Sequence, residues 1–517
     1  MKINKFTLLT ILLYLIVSCS SSKSINKTSL SEYQFKKDTA KTYFNILQIN
    51  DVYEIAPIQG GKFGGMARIE TVRQNLLKED KNTLTVLAGD FLNPSLIGTM
   101  KVNGERVRGK QMVEVMNAMN FDLVALGNHE FDLSYTSLQE RLNESSFDWI
   151  SANVLHNKDG KHHYFHKVVN SKKQNLKDSF IKEFTNPDGT TLKVGFISVC
   201  IPSNPKSYVY YGDIYEEIKR AYNEIKDKVD IVLGLTHLTL AQDKKVAELL
   251  PNVPLIMGGH EHTNSYDKVG DVIITKADAN AKTAYIHRFE YDPKTKNVQF
   301  KSELKEINDK IIPDNKVNLV VNKWQNILKE KIKDIVSNPY EVIYNAKTPL
   351  DARETPIRSV QTNMGEVITK AMSFAYDNKV DCALVNGGSV RIDDELEGDI
   401  NVVDIFRVLP YGGSVLKVDI KGNLLKEVLN YGLNAAGTGA YLQRYNVNKV
   451  DDNWLVQNKP IENNKIYKVA FSDYLLRGLD IPMLSTKNPE VLNVYNPKET
   501  ELSYDIRKAI ITYLKSK

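Results

Sequence analysis

Five short apolar runs in the first half of this chain end in the same kinds of polar side chain, and that ordered series constrains the fold most. The runs are Phe44 to Ile49, Leu84 to Ala88, Leu123 to Leu126, Ile231 to Leu235 and Val253 to Met257. They lead into Asn50-Asp51-Val52-Tyr53, Gly89-Asp90, Gly127-Asn128-His129-Glu130-Phe131-Asp132, Thr236-His237 and Gly258-Gly259-His260-Glu261-His262. Runs of this length, rich in aliphatic and β-branched residues, read as buried strands. In an α/β sheet, ligands bind in the crevice beyond the carboxyl ends of the strands. Carboxylate and amide oxygens together with imidazole nitrogens, delivered to one such crevice, suit divalent metals. A lone Asp or Asn at a strand end is commonly a turn former or helix cap. Five such ends in order are not explained that way.

These segments resemble the calcineurin-like metallophosphoesterase superfamily, and the chain as a whole resembles its 5′-nucleotidase branch. The resemblance implies an α/β protein: an N-terminal four-layer αββα domain joined by a helix to a C-terminal α/β nucleotide-binding domain. It implies two divalent ions (Mn, Zn, Mg or similar), with Asp51, Asp90 and His262 around the first. Asp90, Asn128, His237 and His260 would surround the second, with Asp90 bridging. His129 and Asp132 match the catalytic dyad. Two ions roughly 3.5–4 Å apart clamp both ends of an in-line phosphoryl displacement and acidify a water between them. His129 is then placed to hydrogen-bond a phosphoryl or leaving oxygen, while Asp132 fixes its tautomer.

One position departs from the family. Its first motif is Asp-x-His, and this chain has Asp51-Val52-Tyr53. A phenol with a pKa of about 10 is a poor ligand unless ionised, so Tyr53 is expected to pack beneath the site and coordinate nothing. The first metal should be held more weakly and exchange more readily, with His262 compensating in part. The remaining histidines, His156, His162, His163, His166 and His287, are expected to be solvated.

The N-terminus reads as a targeting segment. Lys2 and Lys5 precede an apolar stretch, Phe6 to Val17, that is shorter than the roughly 20 residues a membrane span needs. Val17-Ser18-Cys19 resembles a bacterial lipobox. Residues 1–18 are therefore expected to be a lipoprotein signal peptide, Cys19 the lipid-carrying membrane anchor and residues 19–42 a tether. The protein would be exported and anchored in the cell envelope, on the periplasmic or the cell-surface face. Cys200 and Cys382 sit in apolar runs of different domains and read as buried thiols. The formal charge is only +5 over 517 residues, with acids and bases interspersed. That balance argues against binding a nucleic-acid polymer, and a monomer is expected.

The phosphoesterase domain is assigned to residues 43–312, a linker helix to 313–339 and the substrate-binding domain to 340–517. Val317, Val320, Val321, Trp324, Ile327, Leu328 and Ile332 recur at helical spacing. From pattern alone this helix serves equally as a connector or as a core helix of the first domain. In the C-terminal part, Gln361-Thr362-Asn363-Met364-Gly365 and Asn386-Gly387-Gly388-Ser389-Val390-Arg391 match the branch's signature stretches in order. By that resemblance Arg353, Arg358 and Arg391 hold phosphate through bidentate guanidinium bonds. Tyr411 and Tyr474 sandwich the base, a contact that tolerates several bases. Asn386 would bond a base edge and Asp480 the ribose. The Gly478-Leu479-Asp480-Ile481 loop departs from the Gly-Gly-Asp-Gly of relatives.

The function so implied is hydrolysis of nucleoside 5′-monophosphates to nucleoside and phosphate outside the cytoplasm. The alternatives on the same site are 2′,3′-cyclic nucleotides and UDP-sugars. From another class comes a catalytically weak nucleotide-binding lipoprotein, which Tyr53 favours and the intact dyad opposes.

Overall fold

The computed structural model describes residues 32–517 except 187–188, 204–205 and 334. The expected signal peptide 1–18, Cys19 and the tether as far as residue 31 lie outside the described residues. Among the described residues, no helix is long and apolar enough to cross a membrane.

The apolar runs are strands. Thr42–Ile49, Thr83–Leu87, Leu123–Ala125 and Asp148–Ile150 pair in parallel in one sheet. Thr191–Ile197, Ile231–Thr236, Leu255–Gly258 and Val272–Lys276 pair in parallel in a second. The hairpin Thr283–Asp292/Asn297–Glu306 joins the first sheet antiparallel to Thr42–Ile49. Sheets covered on both faces need strands that are apolar throughout rather than alternating, and Ile231–Thr236 is buried at every position.

Phe44, Ile46, Val86, Leu123 and Phe289 of the first sheet meet Phe196, Leu233, Leu235 and Met257 of the second in one core. Phe44 stacks on Phe289 with ring centroids 4.4 Å apart. The first sheet's outer face is covered by helices Met66–Glu79, Lys110–Ala118 and Tyr135–Glu144. Ile214–Ile225 and Leu240–Leu249 cover the second. The result is helix, sheet, sheet, helix: the expected four layers.

Helix Asn315–Lys333 lies against Met66–Glu79 and Lys110–Ala118, burying Val317, Val321, Trp324, Leu328 and Ile332. Trp324 Nε1 donates to Glu114 at 2.8 Å. The chain then enters a second α/β unit. Its five-stranded sheet runs in the order Leu442–Tyr445, Cys382–Asn386, Ile466–Ser472, Val415–Lys421 and Val491–Tyr495. Helices Asn363–Phe374 and Ile506–Lys515 pack together on one side, and Gly422–Asn434 packs into the core on the other. Cys200 and Cys382 are buried free thiols.

His287 corrects an expectation. It is fully buried, not solvated, with Nδ1 2.8 Å from Ser302 Oγ and Nε2 2.9 Å from Gln48 Oε1. His156 is also drawn inward, stacking on Tyr135 at 4.1 Å between centroids.

Candidate active site

The strands of both sheets end at one rim, and the loops beyond them converge. Asp51, Asp90 and His260 all take positive φ there (52°, 62° and 82°). A left-handed turn directly after an extended strand points the side chain back into the crevice, at a steric cost that Asp tolerates better than most residues. Two glycines permit the close approach. A Cβ on Gly127 would stand 2.1 Å from Asp90 Oδ1, and one on Gly259 would stand 2.1 Å from Ala88 O and 2.8 Å from His237 Nδ1.

Asp51, Asp90 and His237 present donor atoms within 4.8 Å of one another. His237 Nδ1 bonds Ala88 O at 2.7 Å, which turns Nε2 toward Asp90 Oδ2 (3.0 Å) and Asn128 Oδ1 (3.1 Å). Asp90 Oδ1 accepts from His129 N at 2.8 Å. His260 lies edge-on to His237, 5.4 Å between centroids, and its own N–H donates to Asp51 Oδ2 at 3.0 Å. His262 Nε2 faces Asp51 Oδ1 at 3.6 Å. The structure thus brings together all six residues expected around the ions.

The electrostatics favour positive charge at this point. Burial alone would raise the Asp51 carboxyl, but His262, His237 and Asn50 outweigh it and hold it at about 2. Burial opposes charge on His237 and His262, yet Asp90 lifts the first to about 9, and Asp393 with Asp51 lifts the second to about 10. Asp51 Oδ1 is buried without a hydrogen-bond partner. A buried carboxylate oxygen left unbonded is costly, and its neighbours are hard oxygens and imidazoles. This donor set fits a divalent cation.

The two residues expected as a dyad are in contact. His129 Nδ1 lies 2.8 Å from Asp132 Oδ2. Burial works against charge on His129, but Asp90 and Asp132 raise it well above the usual imidazole value. Asp132 also faces Arg391 Nη2 at 3.5 Å. Burial raises its carboxyl, but His129 and then Arg391 hold it well below the usual carboxylate range.

Tyr53 does more than pack beneath the site. Its hydroxyl stands 3.2 Å from His262 Nε2 and 3.5 Å from Asp90 Oδ2. Burial, and then Asp90, push the phenol well above its ordinary value of 10.0.

Four residues that sequence reasoning did not assign shape the same site. Glu130 is buried and accepts from four backbone amides, Asp90 (2.9 Å), Phe91 (2.8 Å), Leu92 (3.1 Å) and Gly127 (2.8 Å). It therefore ties the Asp90 and Asn128 loops together; burial and then Asp90 push it up to about 7. Lys276 is buried and donates to Leu238 O and Gly259 O, both at 2.6 Å, while pairing with Asp243 at 2.8 Å and with Glu261. It braces the loops that carry His237 and His260. From the second unit come Glu354, 3.2 Å from His129 Nε2, and Asp393, whose main-chain oxygen is 2.6 Å from His262 Nδ1.

The expected nucleotide-binding residues divide between two cavities. Arg358, Asn386, Arg391, Tyr411, Tyr474 and Asp480 all line one of about 650 Å³. Asp480 accepts from Asn386 Nδ2 at 2.7 Å and from the Tyr474 hydroxyl at 3.1 Å. Tyr411 is 59% exposed, its ring open to this space, with the guanidinium of Arg106 from the first domain 6.0 Å from its centroid. Arg353 is elsewhere, lining a second cavity beside Asp90, His129, His260 and His262. It is tied to Asp351 at 2.8 Å and Glu395 at 3.4 Å.

Residues 44–264 match the family described as calcineurin-like phosphoesterase, and residues 342–486 match the 5′-nucleotidase C-terminal domain. The chain is 26% identical over 471 residues to the 5′-nucleotidase of Mus musculus, covering 81% of this chain and 78% of that protein. Among solved structures, a 5′-nucleotidase precursor from Thermus thermophilus superposes with a TM-score of 0.64 at 22% identity, covering 92% of this chain and 96% of that one. The sulfate thiohydrolase SoxB of Thermus thermophilus superposes almost as well, with a TM-score of 0.62 at 15% identity, covering 94% of this chain and 95% of that one. One architecture thus carries more than one hydrolysis, and the substrate has to be argued from the site.

Proposed function

This chain belongs to the calcineurin-like phosphoesterases, carries the 5′-nucleotidase C-terminal domain and is a metal-dependent phosphoester hydrolase; from that premise we propose that it cleaves nucleoside 5′-monophosphates with two divalent ions, outside the cytoplasm. The observation that carries this reading is the position of Arg391. It lines the cavity that holds Tyr411, Tyr474, Asn386 and Asp480, and it reaches Asp132 of the dyad at 3.5 Å. A nucleotide whose base lies in the cavity would present its phosphate beside His129.

Asp51, Asp90 and His262 would hold one ion, and Asp90, Asn128, His237 and His260 the other. Bound there, the pair supplies Lewis acidity and a nucleophilic water near neutral pH. The protein's own groups do the rest. His129 donates to a phosphoryl or leaving oxygen, and Asp132 keeps it charged and oriented. Arg391 and Arg358 neutralise the phosphate, Tyr411 and Tyr474 take the base, and Asp480 accepts from the ribose. Arg353, on the side of the metal residues, is placed to meet phosphate oxygens. The N-terminal targeting pattern, with an anchor at Cys19, supports the extracytoplasmic setting. We assign the boundaries 43–312, 313–339 and 340–517 to the three parts and propose a monomer.

Product analysis after incubation with a nucleoside 5′-monophosphate (phosphate and nucleoside), a 2′,3′-cyclic nucleotide (ring-opened nucleoside monophosphate) and a UDP-sugar (UMP and sugar 1-phosphate), each with Mn²⁺ and with chelator, tests this. The monophosphate should be hydrolysed fastest, and chelation should abolish the reaction. A faster cyclic or UDP-sugar reaction would reassign the substrate. No hydrolysis product from any of them with metal present would favour the binding lipoprotein.

A further inference from the structure

The first-ion site is short of one donor, and the second domain reaches into it. Tyr53 stands where the family has an imidazole, and a neutral phenol is a weak ligand. Around His262 Nε2 lie three oxygens: Tyr53 Oη at 3.2 Å, Asp393 Oδ2 at 3.3 Å and Asp51 Oδ1 at 3.6 Å. Donors bound to one cation at about 2.0–2.2 Å stand about 3.0–3.5 Å from one another. The Tyr53 and Asp393 oxygens fall within that range of Nε2 and the Asp51 oxygen just beyond it. Asp393 also has a donor atom within 4.8 Å of those of His129 and Glu354.

The backbone of the second domain is shaped around the same point. Asp393 takes a left-handed φ of 47°. Its carbonyl oxygen is 2.6 Å from His262 Nδ1, a bond that keeps a proton on Nδ1 and orients Nε2 toward the three oxygens. Its Oδ1 accepts from Glu354 N at 2.6 Å, which turns Oδ2 toward Nε2. Opposite, Asp51 Oδ1 is buried and without a hydrogen-bond partner.

We infer that Asp393, carried by the C-terminal domain, is a ligand of the first metal ion and supplies the donor that Tyr53 does not. This rests on the two-ion reading above. Two consequences follow. The first ion bridges the two domains, so its binding and their closure are coupled by linkage. Exchanging an imidazole for a carboxylate also hardens the site, favouring Mn²⁺ or Mg²⁺ over Zn²⁺ there.

The test is metal titration of the full chain by calorimetry, with metal content by elemental analysis and the radius of gyration with and without Mn²⁺. The wild type should bind two equivalents and compact on binding. Asp393→Ala, and Asp393→Asn as the variant that keeps the side-chain volume, should keep one equivalent at unchanged affinity. The other should weaken roughly 100-fold or more, at or beyond the top of the 10–100-fold cost of losing an orienting partner alone. Metal-induced compaction should disappear. Tyr53→His in the Asp393→Ala background should restore the second equivalent without restoring compaction. Two wild-type-like equivalents in both Asp393 variants would overturn the assignment. Fewer than two in the wild type would instead overturn the two-ion reading itself.

Discussion

At the scale of single residues, the proposed function separates groups that hold cations from groups that move protons. The His129 ring nitrogens face Asp132 and Glu354, and a ring donor atom lies within 4.8 Å of those of Glu354 and Asp393. His129→Asn should therefore lower kcat by about 10²–10⁴, the usual contribution of a positioned acid or donor, while metal content stays at two. Elemental analysis that finds metal lost along with activity would make His129 a ligand. The residues legible in the sequence are those that follow a strand directly: Asp51, Asp90, Asn128, His237, His260 and His262. Glu354, Asp393 and Lys276 are not, because each reaches its partner across a long sequence separation and no local pattern marks such a contact. Glu130 lies inside a recognised motif, yet its role depends on the amides of the Asp90 loop, 40 residues away.

At the scale of elements, strands buried on both faces announce themselves as apolar runs, which is why the crevice could be anticipated. The hairpin strand Thr283–Asp292 is harder. His287 and Arg288 interrupt it and suggest exposure, but its neighbours Thr42–Ile49 and Asn297–Glu306 bury His287 against Gln48 and Ser302. That misreading has a measurable consequence. Burial pushes the imidazole down to about 3, against about 6.5 in an unfolded chain. Above pH ~6.5 both states are neutral and the ring costs nothing. As pH falls from there toward 3, the unfolded chain takes up a proton that the folded one refuses. Stability is lost at up to about 1.4 kcal/mol per pH unit, and the loss levels off below the folded pKa. Replacing the ring by His287→Gln should flatten the fall in unfolding free energy between pH 7 and 5, measured in urea. An unchanged slope would show that His287 is not held neutral.

At the scale of the whole molecule, the two domains meet at the chemistry. Glu354 on His129, Asp393 on His262 and Arg391 on Asp132 all cross the interface at the site, and the buried Arg407–Glu54 pair (3.2 Å) crosses beside it. None of these contacts is visible in either domain's motifs taken separately. The central claim is that the second domain recognises the nucleotide, while the first supplies most of the groups proposed to do the chemistry. It is tested most directly by comparing kcat/KM for a nucleoside 5′-monophosphate and for a small aryl phosphate in Tyr411→Ala and Tyr474→Ala. Each ring should contribute about 1–3 kcal/mol of base stacking, so each variant should lose roughly 5- to 150-fold on the nucleotide, mainly through KM. The aryl phosphate, which has no base to stack, should change little. Equal losses on both substrates would contradict the account, because the rings would then support the fold and not the base.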